Sequence, residues 1–151
     1  MRWMKERLIL NVKDEFTEFP GLRLHSESKG VSGEDFYHNV LNKRFYEASS
    51  SGKVLEVVLD GTAGYPPSFI DESFGRLVFD FGEALVRKNV DIVSDEEPIW
   101  KEMIEDSTYS KWEDRRKHNK KPETSEGYAP DAWWRYVDGN YIKVNSYDEC
   151  K

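Results

Sequence analysis

Residues 66–75, PPSFIDESFG, crowd two serines and an acidic pair into one short stretch. Two carboxylates flanking a bond can divide general acid and base work. A serine beside them could serve as a nucleophile or accept a phosphate. Asp71 and Glu72 are adjacent, however, and neighbouring side chains on a helix diverge by about 100°. They do not converge on one reacting bond, and no nucleophile–base pair accompanies them. The alternative use is structural: Ser68 caps a helix, and Asp71, three residues on, helps it satisfy free backbone N–H groups.

Other chemistry-bearing residues are scattered. His25, His38 and His118 lack metal-ligand spacing and read as solvated, with His38 on the exposed side of a helix. The single cysteine, Cys150, can form neither an internal disulfide nor a paired-cysteine zinc site. No metal or cofactor is expected. KWEDRRKHNKK (111–121) holds six basic and two acidic residues. Its Lys111, Arg115, Arg116, Lys117, Lys120 and Lys121 could meet phosphates, but a solvated face is the commoner use of such a run. WWRYVDGNYIKV offers Trp133, Trp134 and Arg135, residue types that anchor protein interfaces. A hairpin that extends or closes the sheet is an equal alternative.

The elements that must position these groups follow from periodicity. RLILNV (7–12) reads as a strand, and LRLH (22–25), after Pro20-Gly21, as a second strand forming a hairpin with it. Ser32 and Asp35 open a helix over 32–49, with Phe36, Val40, Leu41 and Phe45 on its apolar stripe. KVLEVVLDG (53–61) is apolar enough for a central strand buried on both faces. A single helix over 68–89 follows, with Ile70, Phe74, Leu77, Val78, Phe81 and Leu85 in one stripe. On it, Gly75 and Gly82 suit close helix–sheet approach. VDIVS (90–94) is a short strand. Ser94, Glu97 and a first-turn Pro98 start another helix. Periodicity fades after 106, and DGN then turns a hairpin between WWRYV and YIKV. The predicted fold is α/β: a small mixed sheet with helices packed on it, plus the C-terminal hairpin. The expected divisions are 1–106, a basic connection 107–130, and a hairpin unit 131–148 that packs on the domain.

Composition narrows the function. The chain has 151 residues, 14% of them aromatic, which suits one folded domain. Residues 1–106 carry 13 Lys/Arg against 21 Asp/Glu, whereas 107–151 carry 9 against 8. An acidic body opposes a broad nucleic-acid surface and suits a basic protein partner. No run has the length of a membrane span and the basic start lacks an apolar core, so a cytoplasmic location is expected.

SGEDFYHNVL followed by VLEVVLDGTAGYPPSFIDESFGRLV resembles the STAS-like domain family of unknown function, over residues about 7–106. That family is in turn similar to the STAS domains of anti-sigma factor antagonists. The resemblance implies a non-enzymatic interaction domain whose partner is a regulatory protein, such as an ATP-binding anti-sigma-type kinase. In those antagonists the helix start reads SFxDSSG and the serine after the Asp is phosphorylated. Ser68, Phe69 and Asp71 match; Glu72 replaces the phosphorylated serine, and Ser73 falls on its neighbour. The resemblance thus implies a docking end formed by Ser68, Phe69, Asp71, Glu72 and Ser73, with Glu72 and Ser73 facing out and the phosphorylation switch lost or moved. A second reading, from the acidic body, is a small inhibitor or accessory protein of a nucleic-acid-processing or defence complex. Homo-oligomerisation is left open by the sequence.

Overall fold

The computed structural model describes residues 5–149. Cys150 lies outside the described residues. Strand β1 (Arg7–Asn11) leads into a single helical turn, α1 (Val12–Glu15), capped by the Asn11 side chain. Helix α2 (Gly33–Phe36) starts at the expected capping box: the Ser32 hydroxyl accepts from the Asp35 N–H, and the Asp35 carboxylate accepts from the Ser32 N–H. It passes through a π-helical turn (Tyr37–Leu41) into α3 (Asn42–Ser50). Strand β2 (Val54–Val58), α4 (Pro67–Phe81), α5 (Glu83–Asn89) and β3 (Val90–Val93) follow. Helix α6 (Ile99–Met103) continues through a π-helical turn (Ile104–Thr108) into α7 (Tyr109–Lys117). Strands β4 (Trp133–Val137) and β5 (Asn140–Val144) form the expected antiparallel hairpin, turned at Asp138-Gly139 with both residues at positive φ.

The α/β architecture stands, but the early hairpin does not form. Residues 22–25 lie in a loop, because β1 pairs in parallel with β2 rather than with its sequence neighbour. The loop is instead pinned to the first helix, with Gly33 N–H donating to the Leu22 carbonyl and Glu34 N–H to the Arg23 carbonyl. The three strands are consequently all parallel, in the order β1-β2-β3. An unbroken order combined with right-handed crossovers places both helical connections on one side of the sheet. Burial agrees: Leu10, Leu55, Val57 and Ile92 are buried under the helices. On the other side Glu56, Val58, Asp91 and Val93 stay half-buried and Ile9 is exposed. Strand β2 is central as expected, yet it is covered on one face only. An ion cluster crosses the bare face, with Arg7 at 2.6 Å from Asp91 and 3.5 Å from Glu56.

Helix α4 is the inner element, with every residue from Phe69 to Phe81 buried. It starts one residue earlier than the sequence suggests, because Pro67, with no N–H to satisfy and φ already helical, takes the first position. Pro66 is the cap residue, so Ser68 is not the N-cap. The helix also ends earlier, at Gly82, whose φ of 86° breaks it from α5. Pro98 is the cap of α6 rather than a first-turn residue, and the helical path from it runs on to Lys117, past the point where apolar periodicity fades. Periodicity fails there because α7 buries little beyond Tyr109 and Trp112.

Gly75 serves that contact rather than a helix–sheet one. The fully buried indole of Trp112 lies against its Cα, and a Cβ at residue 75 would fall 2.1 Å from Trp112 Cε2. Gly75→Ala should therefore destabilise the fold by roughly 1–3 kcal/mol or more, outweighing a gain of about 1 kcal/mol in helix propensity. Denaturant melts would read this as a lower midpoint with unchanged slope.

Candidate functional site at the start of the central helix

The first turns of α4 sit at the carboxyl end of β2, under the 16–31 loop on one side and α7 on the other. Asp71 receives three donors there: Lys111 Nζ at 2.5 Å, Arg23 Nη1 at 2.7 Å and Trp112 Nε1 at 3.1 Å. Burial pushes its carboxyl up, but these donors outweigh that and hold it below the ordinary aspartate value. Glu72 accepts from Arg23 at 3.0 Å and from Arg76 Nε. Ser73 donates to the Phe69 carbonyl at 2.8 Å, inside its own helix.

The expectation that Glu72 and Ser73 face out is thus corrected: they are 3% and 0% exposed. Phe69 is likewise fully buried, and Ser68, half-buried, makes no capping bond. The outward positions are occupied because Lys111 and Trp112 of α7, with Arg23 of the loop, close over this end of the helix. A cleft of about 270 Å³ remains between Arg23, Asp71, Glu72, Arg115 and Glu123.

One turn deeper lies Arg76, with no exposed surface. Its guanidinium pairs with Glu72 and, at 3.4 Å, with Glu34; it also donates to the Glu123 carbonyl and, at 3.1 Å, to His38 Nε2. Burial opposes its charge, yet Tyr147 and these carboxylates raise its pKa above the ordinary arginine value. Glu34 is fully buried too and accepts from the His25 N–H, the Ser125 N–H and the Ser125 hydroxyl.

His38 is not on an exposed helix face but 4% exposed against Arg76. Burial, then the adjacent guanidinium, lowers its pKa to about 3, so the ring is neutral, with Nε2 accepting and the proton on Nδ1. His25 is held rather than free, its ring stacked on Tyr128 at 4.4 Å and Nδ1 at 2.8 Å from Asp35. His118 is exposed, as expected.

A further turn on, Asp80 takes hydrogen bonds from Tyr37 at 2.5 Å and Tyr147 at 3.3 Å. Arg135 Nε lies 3.0 Å from its other oxygen but off the hydrogen-bond line, so that contact is Coulombic. Burial pushes the Asp80 carboxyl up to about 6 against the pull of Arg135 and Tyr37. The hairpin is anchored beside it. Trp133, 4% exposed, sits edge-on to His38 and Tyr147, while Trp134 stacks on Tyr46 at 3.8 Å. Asn42 clamps the Trp134 backbone, accepting from its N–H and donating to its carbonyl, both at 2.9 Å. Trp133, Trp134 and Arg135 therefore face the domain.

Four cations of the basic run are also engaged: Lys111 on Asp71, Arg115 on the Lys120 and Lys121 carbonyls, Arg116 on Glu113, and Lys121 on Asp148. Among the described residues no group of three or more His, Cys, Asp or Glu is placed to hold a metal ion. Nor is any described helix long and apolar enough to cross a membrane.

The sequence reading found the outer residues of this site and missed Arg23, Glu34, His38, Arg76, Asp80 and Ser125. One signal was available. Glu72, Arg76 and Asp80 recur every four residues, a polar row on a helix whose other positions are largely apolar.

Residues 32–100 match the family model of the STAS-like domain of unknown function (DUF4325). The match begins at the Ser32 cap and ends in the first turn of α6, so this part of the chain is similar to the STAS-like domain that the resemblance implied. No curated protein and no solved structure matches the chain. Strand β1, α7 and the hairpin lie outside the matched segment, and the chain beyond residue 100 completes its polar interior: Trp112, Glu123, Ser125, Trp134 and Tyr147 hydrogen-bond its buried groups, and Arg135 pairs with Asp80.

Two predictions follow from this burial. Glu72→Ala removes a buried partner of Arg76 and should cost about 3–5 kcal/mol in a denaturant melt, whereas Ser68→Ala should stay within about 0.5 kcal/mol. The second concerns pH. His38 binds no proton in the fold until about pH 3, so its contribution is complete above 6.5 and is lost as pH falls. Asp80 keeps its proton up to about pH 6, so its contribution is lost as pH rises through roughly 4–6. The two slopes oppose each other in that window. Relative to the parent, Asp80→Asn should gain stability with rising pH between about 4 and 6, and His38→Gln should lose it; melts at several pH values would read both.

Proposed function

We propose that this chain is a non-enzymatic, cytoplasmic interaction domain that binds a regulatory protein. An ATP-binding anti-sigma-type kinase is the partner to which the STAS resemblance points. The observation that carries this reading is where three of the four exposed large apolar side chains among the described residues lie, the fourth being Ile9 on the bare sheet face. Phe19 is 66% exposed, Leu22 45% and Ile99 54%. All three belong to segments tied to the start of α4. Glu18 and Arg23, which bracket the first two, bond Ala63 N–H and the Asp71–Glu72 pair, and Trp100, next to Ile99, packs on Tyr65.

Acidic residues Glu18, Asp95, Glu96 and Glu97 lie beside them in sequence, and Asp60, in the loop after β2, accepts from the Asp95 and Glu96 N–H groups. An apolar contact with an acidic rim fits a protein surface rich in Lys and Arg around an apolar centre. The docking end of the domain is then the one the resemblance implies, with contact made by the loop residues rather than by Glu72 and Ser73. Because Glu72 is consumed by Arg76 and Ser73 by its own helix, binding on this reading is constitutive and independent of phosphorylation. The same consumption leaves Asp71 and Glu72 unsuited to general acid–base work.

Affinity purification from the host, followed by titration of the recovered partner, tests this. Phe19→Asp with Ile99→Asp should weaken binding at least about tenfold while melting like the parent, since both side chains are exposed and an acid is tolerated at a helix start. An unchanged affinity, or a purified chain that turns over a nucleotide or an ester, would end the proposal.

A further inference from the structure

A second concave site lies away from the start of α4, between the 121–130 segment and the chain leaving β5 at 145–148. Its volume, about 610 Å³, falls in the range of small-molecule sites, roughly 300–1,000 Å³. Tyr128, Trp133, Tyr147, Pro122 and Pro130 give it flat apolar walls. Those walls are preformed: Tyr128 is stacked on His25, and Trp133 and Tyr147 meet edge to face at 5.3 Å.

The polar groups around it are unbalanced in one specific way. Trp133 Nε1 and the Tyr128 hydroxyl are buried with no hydrogen-bond partner among the described residues, and so is Nδ1 of His38, whose ring touches Trp133. The indole nitrogen can only donate. His38 Nδ1 also carries a proton, because Nε2 accepts from Arg76. Of the three, Trp133 and Tyr128 line the cavity; the hydroxyl can donate or accept, whereas the indole can only donate and is left without an acceptor. Buried polar groups left without partners are rare in native folds, and each calls for an explanation. At the rim, Lys121 and Asp148 pair at 3.0 Å and cancel each other's charge.

We infer that this cavity binds a small, uncharged, flat molecule bearing a carbonyl acceptor, which stacks between the aromatic walls and accepts from the Trp133 indole N–H. Nε1 is covered in the free protein, so this bond requires the Trp133 ring to turn toward the cavity. The site is built mostly from the chain beyond the STAS-like segment and stands apart from the proposed protein-docking end.

Nicotinamide, benzamide and uracil are suitable neutral probes, with nicotinate as the charged comparator. Titrated into the full chain and followed by the indole N–H resonances, at least one neutral probe should saturate at about 1 mM or below and shift Trp133. Nicotinate should bind at least about fivefold more weakly. Trp133→Phe keeps a ring and removes the donor, and should weaken binding about tenfold. It should also melt at or above the parent temperature, because that donor has no partner in the free protein. Tyr128→Phe provides the same comparison if the first variant fails to fold. Three outcomes would each overturn the assignment: no saturation by any neutral probe up to about 10 mM, shifts confined to other residues, or unaltered affinity in both variants.

Discussion

The guanidinium of Arg76 is the constraint around which this molecule is built. A charge with no exposed surface is tolerable only where opposite charge and acceptors surround it, since desolvation of an unpaired ion costs many kcal/mol. The chain meets that requirement with four groups from three segments: Glu72 one turn back on the same helix, Glu34 and His38 from the preceding helical segment, and the Glu123 carbonyl from the chain after α7. Glu34 then requires its own donors, which come from the His25 backbone and from Ser125. Satisfying one buried cation thereby fixes the position of the 23–25 loop and the 123–125 segment. Segments far apart in sequence are bound into one unit by a shared polar centre rather than by apolar contact alone.

Helix α4 can carry such a centre because it is enclosed. The first helical segment, α5 and α7 pack around it, and β4 of the hairpin closes over it. Its Phe and Leu side chains supply the apolar packing, while Glu72, Arg76 and Asp80 form a polar row met by the later part of the chain. That division explains why the matched domain and the residues beyond 100 are interdependent. Without Ser125, Trp134 and Arg135, the domain would keep Glu34, Asn42 and Asp80 in low-dielectric surroundings with fewer partners. It also explains the one-sided sheet. With β1-β2-β3 in unbroken order all helices fall on one face, and the bare face is stabilised by the Arg7–Asp91–Glu56 cluster instead of by a second helical layer.

The elements with strong local signals were legible in the residues themselves. The capping box at Ser32 and Asp35 is a contact between near neighbours, so it needs no tertiary information to form or to be read. The apolar run at 54–59 and the Asp-Gly turn at 138–139 are similarly local. The stripe on α4 identified a helix, and the motif order identified the STAS-like segment. Where local rules competed, the sequence misled: Ser68 is a good capping residue, but Pro66 and Pro67 precede it, and proline starts the helix first.

What only the tertiary structure decided is which polar residues are inside. A Glu, an Arg and an Asp at four-residue spacing make the same pattern on a solvated helix face as on a buried one, because sequence records the spacing but not the covering. The cover here comes from Arg23, from α7 and from the 123–147 chain, none of which has a sequence relation to α4. Burial then changed what each group is. Glu72 became a structural counter-ion instead of an exposed carboxylate, and His38 a neutral acceptor instead of a solvated base. The local backbone and the apolar pattern belong to the sequence. The state of the charges belongs to the fold, since desolvation and pairing depend on groups that meet only when the chain closes.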